Sequence, residues 1–330
     1  MVAQIDWNYV KTRPVKAVTR LMSYALFEGR PVTTRGRWIN PVVFAHFAVE
    51  KRLPQLKRVN KPIFILGTGR SGTTILGVVM SMHRQVGFLN EPKALWHAVH
   101  PAEDVLGNYS RGEAHYRLGT DEATVGATQR AQRLFGAYLA ATGSKRLVDK
   151  YPELVFRIPF VRAIFPDARF VLLLRNGFDT ISSIDAWSRQ HLQTEHGEVH
   201  DWWGVDGRKW RLMRNQLVAS DPAFADLGGL VEGLDRQIDM ATVEWIVTMR
   251  EAITQRRQNS DCVLTVRYED LAANPRKMLV EIADFAELAH DEKFLAYGES
   301  VLRPGGKHSM PDLNPQLQPL FERTMHELGY

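Results

Sequence analysis

Residues 62–80 read Pro62-Ile63-Phe64-Ile65-Leu66-Gly67-Thr68-Gly69-Arg70-Ser71-Gly72-Thr73-Thr74-Ile75-Leu76-Gly77-Val78-Val79-Met80. A short apolar strand, a glycine-rich turn and the start of an apolar helix follow one another. Together they make an anion cradle. Glycines let backbone N–H groups converge on phosphate oxygens, the helix N-terminus favours negative charge, and the hydroxyls of Ser71, Thr73 and Thr74 add donors. Gly67 and Gly72 have the spacing of the nucleotide-kinase loop G-x-x-x-x-G-K-[ST], but Thr73 holds the lysine position and the cation, Arg70, lies mid-loop. That lysine reaches the β- and γ-phosphates, so its absence argues against ATP or GTP hydrolysis. Gly67-x-Gly69-x-x-Gly72 also fits the dinucleotide pattern, yet the nearest downstream acid, Glu91, sits in a Pro-bounded segment and not at a strand end.

Outward from this stretch, short apolar runs at 62–66, 146–149, 169–174 and 262–267 read as strands buried on both faces of a parallel sheet. Helical patterns lie at about 73–82, 127–142, 155–165, 178–190, 235–257 and 275–287, the last capped by Asn274 with Pro275 in its first turn. The alternation predicts a doubly wound α/β fold of mainly parallel strands, with its site at their carboxyl ends. Residues 187–233 break the pattern. They carry Trp187, Trp202, Trp203 and Trp210 among His191, His196 and His200, and read as an insertion near the site.

Arg70-Ser71-Gly72-Thr73-Thr74 resembles in full the 5′-phosphosulfate loop of sulfotransferases that use 3′-phosphoadenosine 5′-phosphosulfate (PAPS). The run Leu174-Arg175-Asn176-Gly177-Phe178-Asp179, followed by Ser183, is similar to that family's 3′-phosphate motif R-x-P-x-D-x-x-x-S, with Gly177 in place of proline. Physically, an arginine at a strand's carboxyl end can pair a phosphate bidentately, and a serine about two turns into the next helix adds a hydroxyl. Asp149-Lys150-Tyr151-Pro152 resembles the K-[ST]-P segment of the carbohydrate-type and bacterial branches, with Lys150 as the active-site lysine and Tyr151 replacing the small hydroxyl residue. Arg267-Tyr268-Glu269-Asp270-Leu271 with Asn274-Pro275 resembles the family's late strand and turn. Arg303-Pro304-Gly305-Gly306-Lys307 loosely resembles the loop that closes over the nucleotide.

The resemblance spans about residues 60–310 and implies a P-loop-like fold, PAPS as co-substrate and no required metal. It implies nucleotide contacts from Gly69, Arg70, Ser71, Gly72, Thr73, Thr74, Arg175, Ser183, Tyr268, Arg303 and Lys307. Sulfuryl transfer needs in-line placement and stabilised charge on the leaving oxygen. Arg70 and Lys150 are the expected cations, the alternative for Lys150 being a surface pair with Asp149 or Glu153. Carbohydrate-type members use a glutamate after the first helix as base, which points to Glu91 in Phe88-Leu89-Asn90-Glu91-Pro92, its pKa raised by apolar neighbours. His83, His97 and His100 are rivals, and a pair with Lys93 or Arg84 is the bland alternative for Glu91. The implied acceptor is a hydroxyl or amine of a small molecule, most simply a carbohydrate or glycolipid, with the tryptophans as a stacking wall or as packing. Two other classes stay open, a P-loop small-molecule kinase and a non-catalytic nucleotide-binding or membrane-docking module.

The 330 residues, 45% hydrophobic with net charge +5, suit one large domain. Residues 11–58 hold 11 Lys/Arg against only Glu28 and Glu50, so 1–58 reads as a basic extension on the core or a membrane and 59–330 as the main domain. Val15, Val18, Leu21, Met22, Ala25 and Leu26 predict an amphipathic helix with Lys16 and Arg20 off its apolar face. Such a helix can lie on an anionic membrane, join a second subunit, or pack on its own domain with a solvated basic face. No recognised motif accompanies the charge, so nucleic acid is not an expected partner. The single Cys262, in an apolar run, reads as a buried thiol in a reducing compartment, and no run suits a signal peptide or a membrane span. The expected setting is the cytoplasm, with an option of peripheral contact at a membrane's inner face.

Overall fold

Ile63 and Ile65 face one side of the first strand and Phe64 and Leu66 the other, and all four are fully buried. This is the arrangement a double-sided apolar run dictates. The computed structural model describes residues 4–34, 36–195, 197–305 and 310–330. Its strands are β1 (Ile63–Gly67), β2 (Val86–Asn90), β3 (Arg146–Lys150), β4 (Arg169–Leu174), β5 (Gln193–Glu195), β6 (Glu198–Asp201), β7 (Gly204–Val205) and β8 (Val263–Arg267). Three helices lead the chain, α1 (Trp7–Thr12), α2 (Pro14–Leu26) and α3 (Asn40–Glu50). Then α4 (Thr73–Ser81) follows β1, α5 (Lys93–Val99) and α6 (Val125–Thr142) follow β2, α7 (Ile158–Ile164) follows β3 and α8 (Gly177–His191) follows β4. Between β7 and β8 run α9 (Arg208–Met213), α10 (Gly228–Glu232) and α11 (Gln237–Gln258). The chain closes with α12 (Tyr268–Ala273), α13 (Pro275–Phe285), α14 (Glu292–Val301) and α15 (Gln318–Glu327).

The large sheet has the order β2-β3-β1-β4-β8 with every pairing parallel. Helices cover both faces: α4, α13 and α14 pack on the side of Ile63, Ile65 and Val171, while α5, α6 and α11 pack on the side of Phe64, Leu66 and Phe170. This is the expected α/β architecture. The 155–165 pattern divides into a 3₁₀ turn, Pro152–Arg157, and α7, where Pro159 restarts the helix. Asn274 stands at the N-cap of α13 without a side-chain capping bond. The edge strand β2 was not foreseen, and it carries Glu91 at its carboxyl end. The insertion folds as a small antiparallel sheet, β5-β6-β7, while Trp187 belongs to α8. Cys262 is buried and free, and among the described residues no helix is long and apolar enough to cross a membrane.

The extension departs most from expectation. Helix α2 is inverted: Ala17, Arg20 and Ser23 are buried, while Val15, Val18 and Leu21 face solvent. The reason lies in the sheet edge it covers. Alternate backbone groups of an edge strand lack partners and demand polar ones. Lys16 donates to the carbonyl of Val86 at the start of β2, and Glu28, paired with Arg20, accepts the N–H of Asn90 at its end, 2.7 Å away. Ser23 meets the Tyr138 hydroxyl at 3.1 Å. Burial, then the neighbouring charge of Arg13, lowers the Lys16 amine to about 8. The basic residues expected off the packed face are the ones that dock.

Candidate active site

Strand register sets the site before any side chain is considered. Ile65 of β1 lies opposite Lys150, the last residue of β3, and Asn90 of β2 lies opposite that same lysine. On the other flank Gly67 pairs with Leu173, so Arg175 emerges beside the phosphate loop. Loops after β1, β3 and β4 therefore meet above the carboxyl edge of the sheet. They border a cavity of about 670 Å³, within the usual range for small-molecule sites.

Gly72, with φ +96°, is the turn into α4, and a Cβ there would come within 2.4 Å of the Tyr268 ring. A Cβ on Gly69 would meet Trp202 at 2.5 Å. Aromatic rings thus press on the loop where side chains are missing, and α4 begins at Thr73 with its first N–H groups free of helical partners. Thr73 and Thr74 line the cavity. Ser71 does not serve as foreseen, because its hydroxyl is 1% exposed and donates to the Thr68 carbonyl at 2.7 Å, bracing the loop from within.

Arg70, at φ 68°, turns its Nε to Ser183 Oγ, 3.1 Å away, and its carbonyl accepts Arg175 Nη1 at 3.1 Å. Burial, then the charge of Arg175, lowers the Arg70 pKa. The Arg175 guanidinium lies 5.0 Å from the Tyr268 ring centroid and 3.9 Å from Asp179, and its buried Nε has no partner among the described residues. Two guanidiniums held together around a hydroxyl form a ready anion site. The two motifs, assigned by resemblance to two different anions, thus meet through residues 113 positions apart.

Glu91 and Lys150 meet through β2 and β3. The Glu91 N–H donates to the Lys150 carbonyl at 2.7 Å, and their side chains form a short ion pair. Lys93 adds a second cation at 3.3 Å from Glu91 and also reaches Glu153 at 3.4 Å. Burial pushes the Glu91 carboxyl up, but Lys150 and Lys93 outweigh it and hold the group down at about 2. The expected rise toward the working range is therefore reversed. Lys150 pairs with neither Asp149, which accepts from the Trp96 indole, nor Glu153, and its side chain is only 2% exposed. Glu91, like Arg70, has a left-handed backbone (φ 48°), a strain of about 1–3 kcal/mol that concentrates at functional sites.

The far end of the cavity comes from the extension, from the insertion expected near the site, and from α11. Tyr24, Glu28 and residues 30–34 line it from the extension, and Trp187, Trp202, Lys209 and Glu244 from α8 onward. Burial makes Glu244, Lys209 and the Trp202 indole a bonded cluster, the ammonium 4.5 Å from the Trp202 ring. Trp187 meets Trp202 edge to face at 5.2 Å. Trp203 and Trp210 instead pack on each other in the core, so the four tryptophans divide between wall and packing. No local motif marks Glu28, Arg30, Lys93, Lys209 or Glu244, which converge only through the fold.

Other sequence candidates fall elsewhere. Tyr268 touches Gly72 and Arg175 and donates to the Arg303 carbonyl, so it supports the loop without lining the cavity. Arg303 turns back to the carbonyls of Glu299 and Leu302, where it caps α14. Lys307 and His196 lie outside the described residues. None of His83, His97 and His100 lines the cavity; His83 is fully buried against the Ala289 carbonyl.

Residues 62–224 match the model of the sulfotransferase family. A stretch of 134 residues is 27% identical to nodulation protein NoeE of Sinorhizobium fredii, covering 37% of this chain and 30% of that protein. The fold is similar to the sulfotransferase domain from the curacin biosynthetic pathway, with TM-score 0.50 and 17% identity over 83% of this chain and 99% of that one. It is also similar to sulfotransferase STF9 from Mycobacterium avium, with TM-score 0.50 and 14% identity over 98% and 92%.

Proposed function

We propose that this chain, which belongs to the sulfotransferase family through residues 62–224, moves a sulfuryl group from PAPS to a hydroxyl or amine of a carbohydrate or lipid acceptor. The observation that carries the reading is the Arg70–Arg175–Ser183 cluster, with its unpartnered Arg175 nitrogen beside a glycine cradle. When bound, PAPS supplies the sulfuryl sulfur and the 5′-phosphate that leaves with the bonding electron pair. Arg175 and Ser183 are assigned to the 3′-phosphate, and the N–H groups of the loop with the Thr73 and Thr74 hydroxyls to the phosphosulfate. Arg70 stands between the two anions.

In this reading Lys150 exchanges Glu91 for the more highly charged phosphosulfate and stabilises the leaving oxygen. Loss of that cation lets the Glu91 carboxyl climb from about 2, so it can take the acceptor's proton as the acceptor atom bonds to sulfur. The ion pair thus keeps the base quiet until donor arrives. At the far end, Trp187 and Trp202 offer faces to a sugar ring, and the Lys209–Glu244 pair offers hydrogen bonds to its hydroxyls. A reducing cytoplasmic setting belongs to the same reading, since the lone thiol of Cys262 has no partner to oxidise with.

Isothermal titration with 3′,5′-adenosine bisphosphate in Mg²⁺-free buffer tests this, with ATP and NAD as comparators. Micromolar binding of the bisphosphate alone is expected. A preference for ATP or NAD would overturn the assignment.

A further inference from the structure

The inverted helix leaves two apolar faces in solvent. On α2, Val15 and Val18 are 75% and 66% exposed, with Leu21 beside them. Helix α3 packs on α2, and its exposed residues are Pro41, Val42, Ala45, Ala48 and Val49, with no charge among them. Trp7 and Trp38, 69% and 79% exposed, stand on the flanking segments. These faces are not spare surface awaiting the core, because the polar side of α2 is consumed by the sheet edge.

The exposed charge within residues 11–58 has one sign. Both acids of residues 11–58 are buried and paired, Glu28 with Arg20 and Glu50 with His46 at 3.0 Å. Lys11, Arg52 and Arg58 remain exposed. A second copy meeting this patch across a two-fold axis would set like charges against like. An anionic lipid surface attracts the same cations, accepts the apolar faces below its headgroups, and suits exposed tryptophans at that depth.

The patch also adjoins the cavity through the chain itself. Tyr24, one turn beyond Leu21, lines the cavity, and so do residues 30–34 of the segment that joins α2 to α3. A surface bound by the two helices would therefore lie beside segments that line the cavity.

We infer that α2 and α3 seat this chain on an anionic lipid bilayer, from which the cavity draws a lipid-borne acceptor. The docking half stands on the two helices alone; the acceptor half rests on the sulfotransferase reading above.

Flotation of the full chain with vesicles of phosphatidylcholine, and of phosphatidylcholine mixed with phosphatidylglycerol, tests the docking. Binding to the mixed vesicles is expected, weakened by salt and reduced about tenfold or more in a Val18→Glu/Val42→Glu variant. Both positions are solvent-facing, so the variant keeps the parent's thermal midpoint and bisphosphate affinity. Failure of the parent to bind the mixed vesicles, or equal binding by the variant, overturns the proposal. So does sedimentation velocity showing a dimer that the variant abolishes while vesicles are ignored. Vesicle binding without bisphosphate binding would remove the sulfotransferase reading and keep the docking face. The acceptor half is tested by incubating the enzyme with sulfur-labelled PAPS and a membrane extract: label in the organic-soluble lipids is expected, and label confined to water-soluble sugars overturns it.

Discussion

At the end assigned to phosphate the cavity is lined by neighbours in sequence, residues 67–70 and 72–74, with Arg175 one step past β4 and Ser183 two turns further on. At its other end it is lined by Tyr24, Arg30, Lys209 and Glu244, drawn from three distant segments. The phosphate end uses backbone N–H groups and a strand-to-helix turn, which constrain residue type over a short span and so form a motif. The other end uses side chains placed by tertiary packing, which leaves no local pattern. One end is specified by chain geometry, the other by assembly.

Substitutions should separate the two ends in kind as well as in size. The largest effect expected is in Glu91→Gln, which lowers turnover by about a hundred- to ten-thousandfold while bisphosphate affinity in titration is kept. Equal loss of both would place Glu91 with the phosphates and blur the division. Arg175→Ala weakens bisphosphate binding on the order of a hundredfold, because it removes a charge-assisted contact from a partly buried anion site. Gly72→Ala forces a Cβ against Tyr268 at a left-handed turn, and thermal denaturation should show a loss of about 2 kcal/mol.

Two smaller effects sharpen the contrast. The Glu91 carboxyl is held at about 2 in the folded chain against an ordinary 4.5, so between those values the unfolded chain binds the extra proton. Stability therefore rises with pH through that window and is lost as pH falls from 4.5 toward 2; in a plot of thermal midpoint against pH, Glu91→Gln flattens that acid limb. Smallest of all, Trp187→Ala should change bisphosphate affinity by less than about threefold, since its ring faces the acceptor end. A larger loss would extend the donor site to the tryptophan wall.

The same distinction explains what could be read before the fold was known. Strands β1 and β4 were legible because double-sided burial makes them almost continuously apolar, and β3 and β8 because short apolar runs stand between polar neighbours. The edge strand β2 was not, since Gly87 interrupts it and Glu91-Pro92 resembles a loop. Arg70, Arg175 and Ser183 were each legible from motif order, but their meeting was not, since the two motifs point to different anions. The pairing of Glu91 with Lys150 depends on β2 lying beside β3, a topological fact invisible in spacing. Helix α2 was placed correctly and turned the wrong way: periodicity locates an apolar stripe, but whether that stripe meets the core depends on what its neighbour requires, and a sheet edge requires hydrogen bonds.

The bridge from Arg20 through Glu28 to the Asn90 N–H bears on how this protein can be shortened or recombined. A cut before Val59 at first looks like trimming an appendage from a complete domain. It would strip the cover from β2, leave the Val86 carbonyl and Asn90 amide bare, and offer a sticky parallel edge to the next molecule. The α2 segment covers the β2 edge as a guard against self-association, and a portable version of this protein has to carry it along.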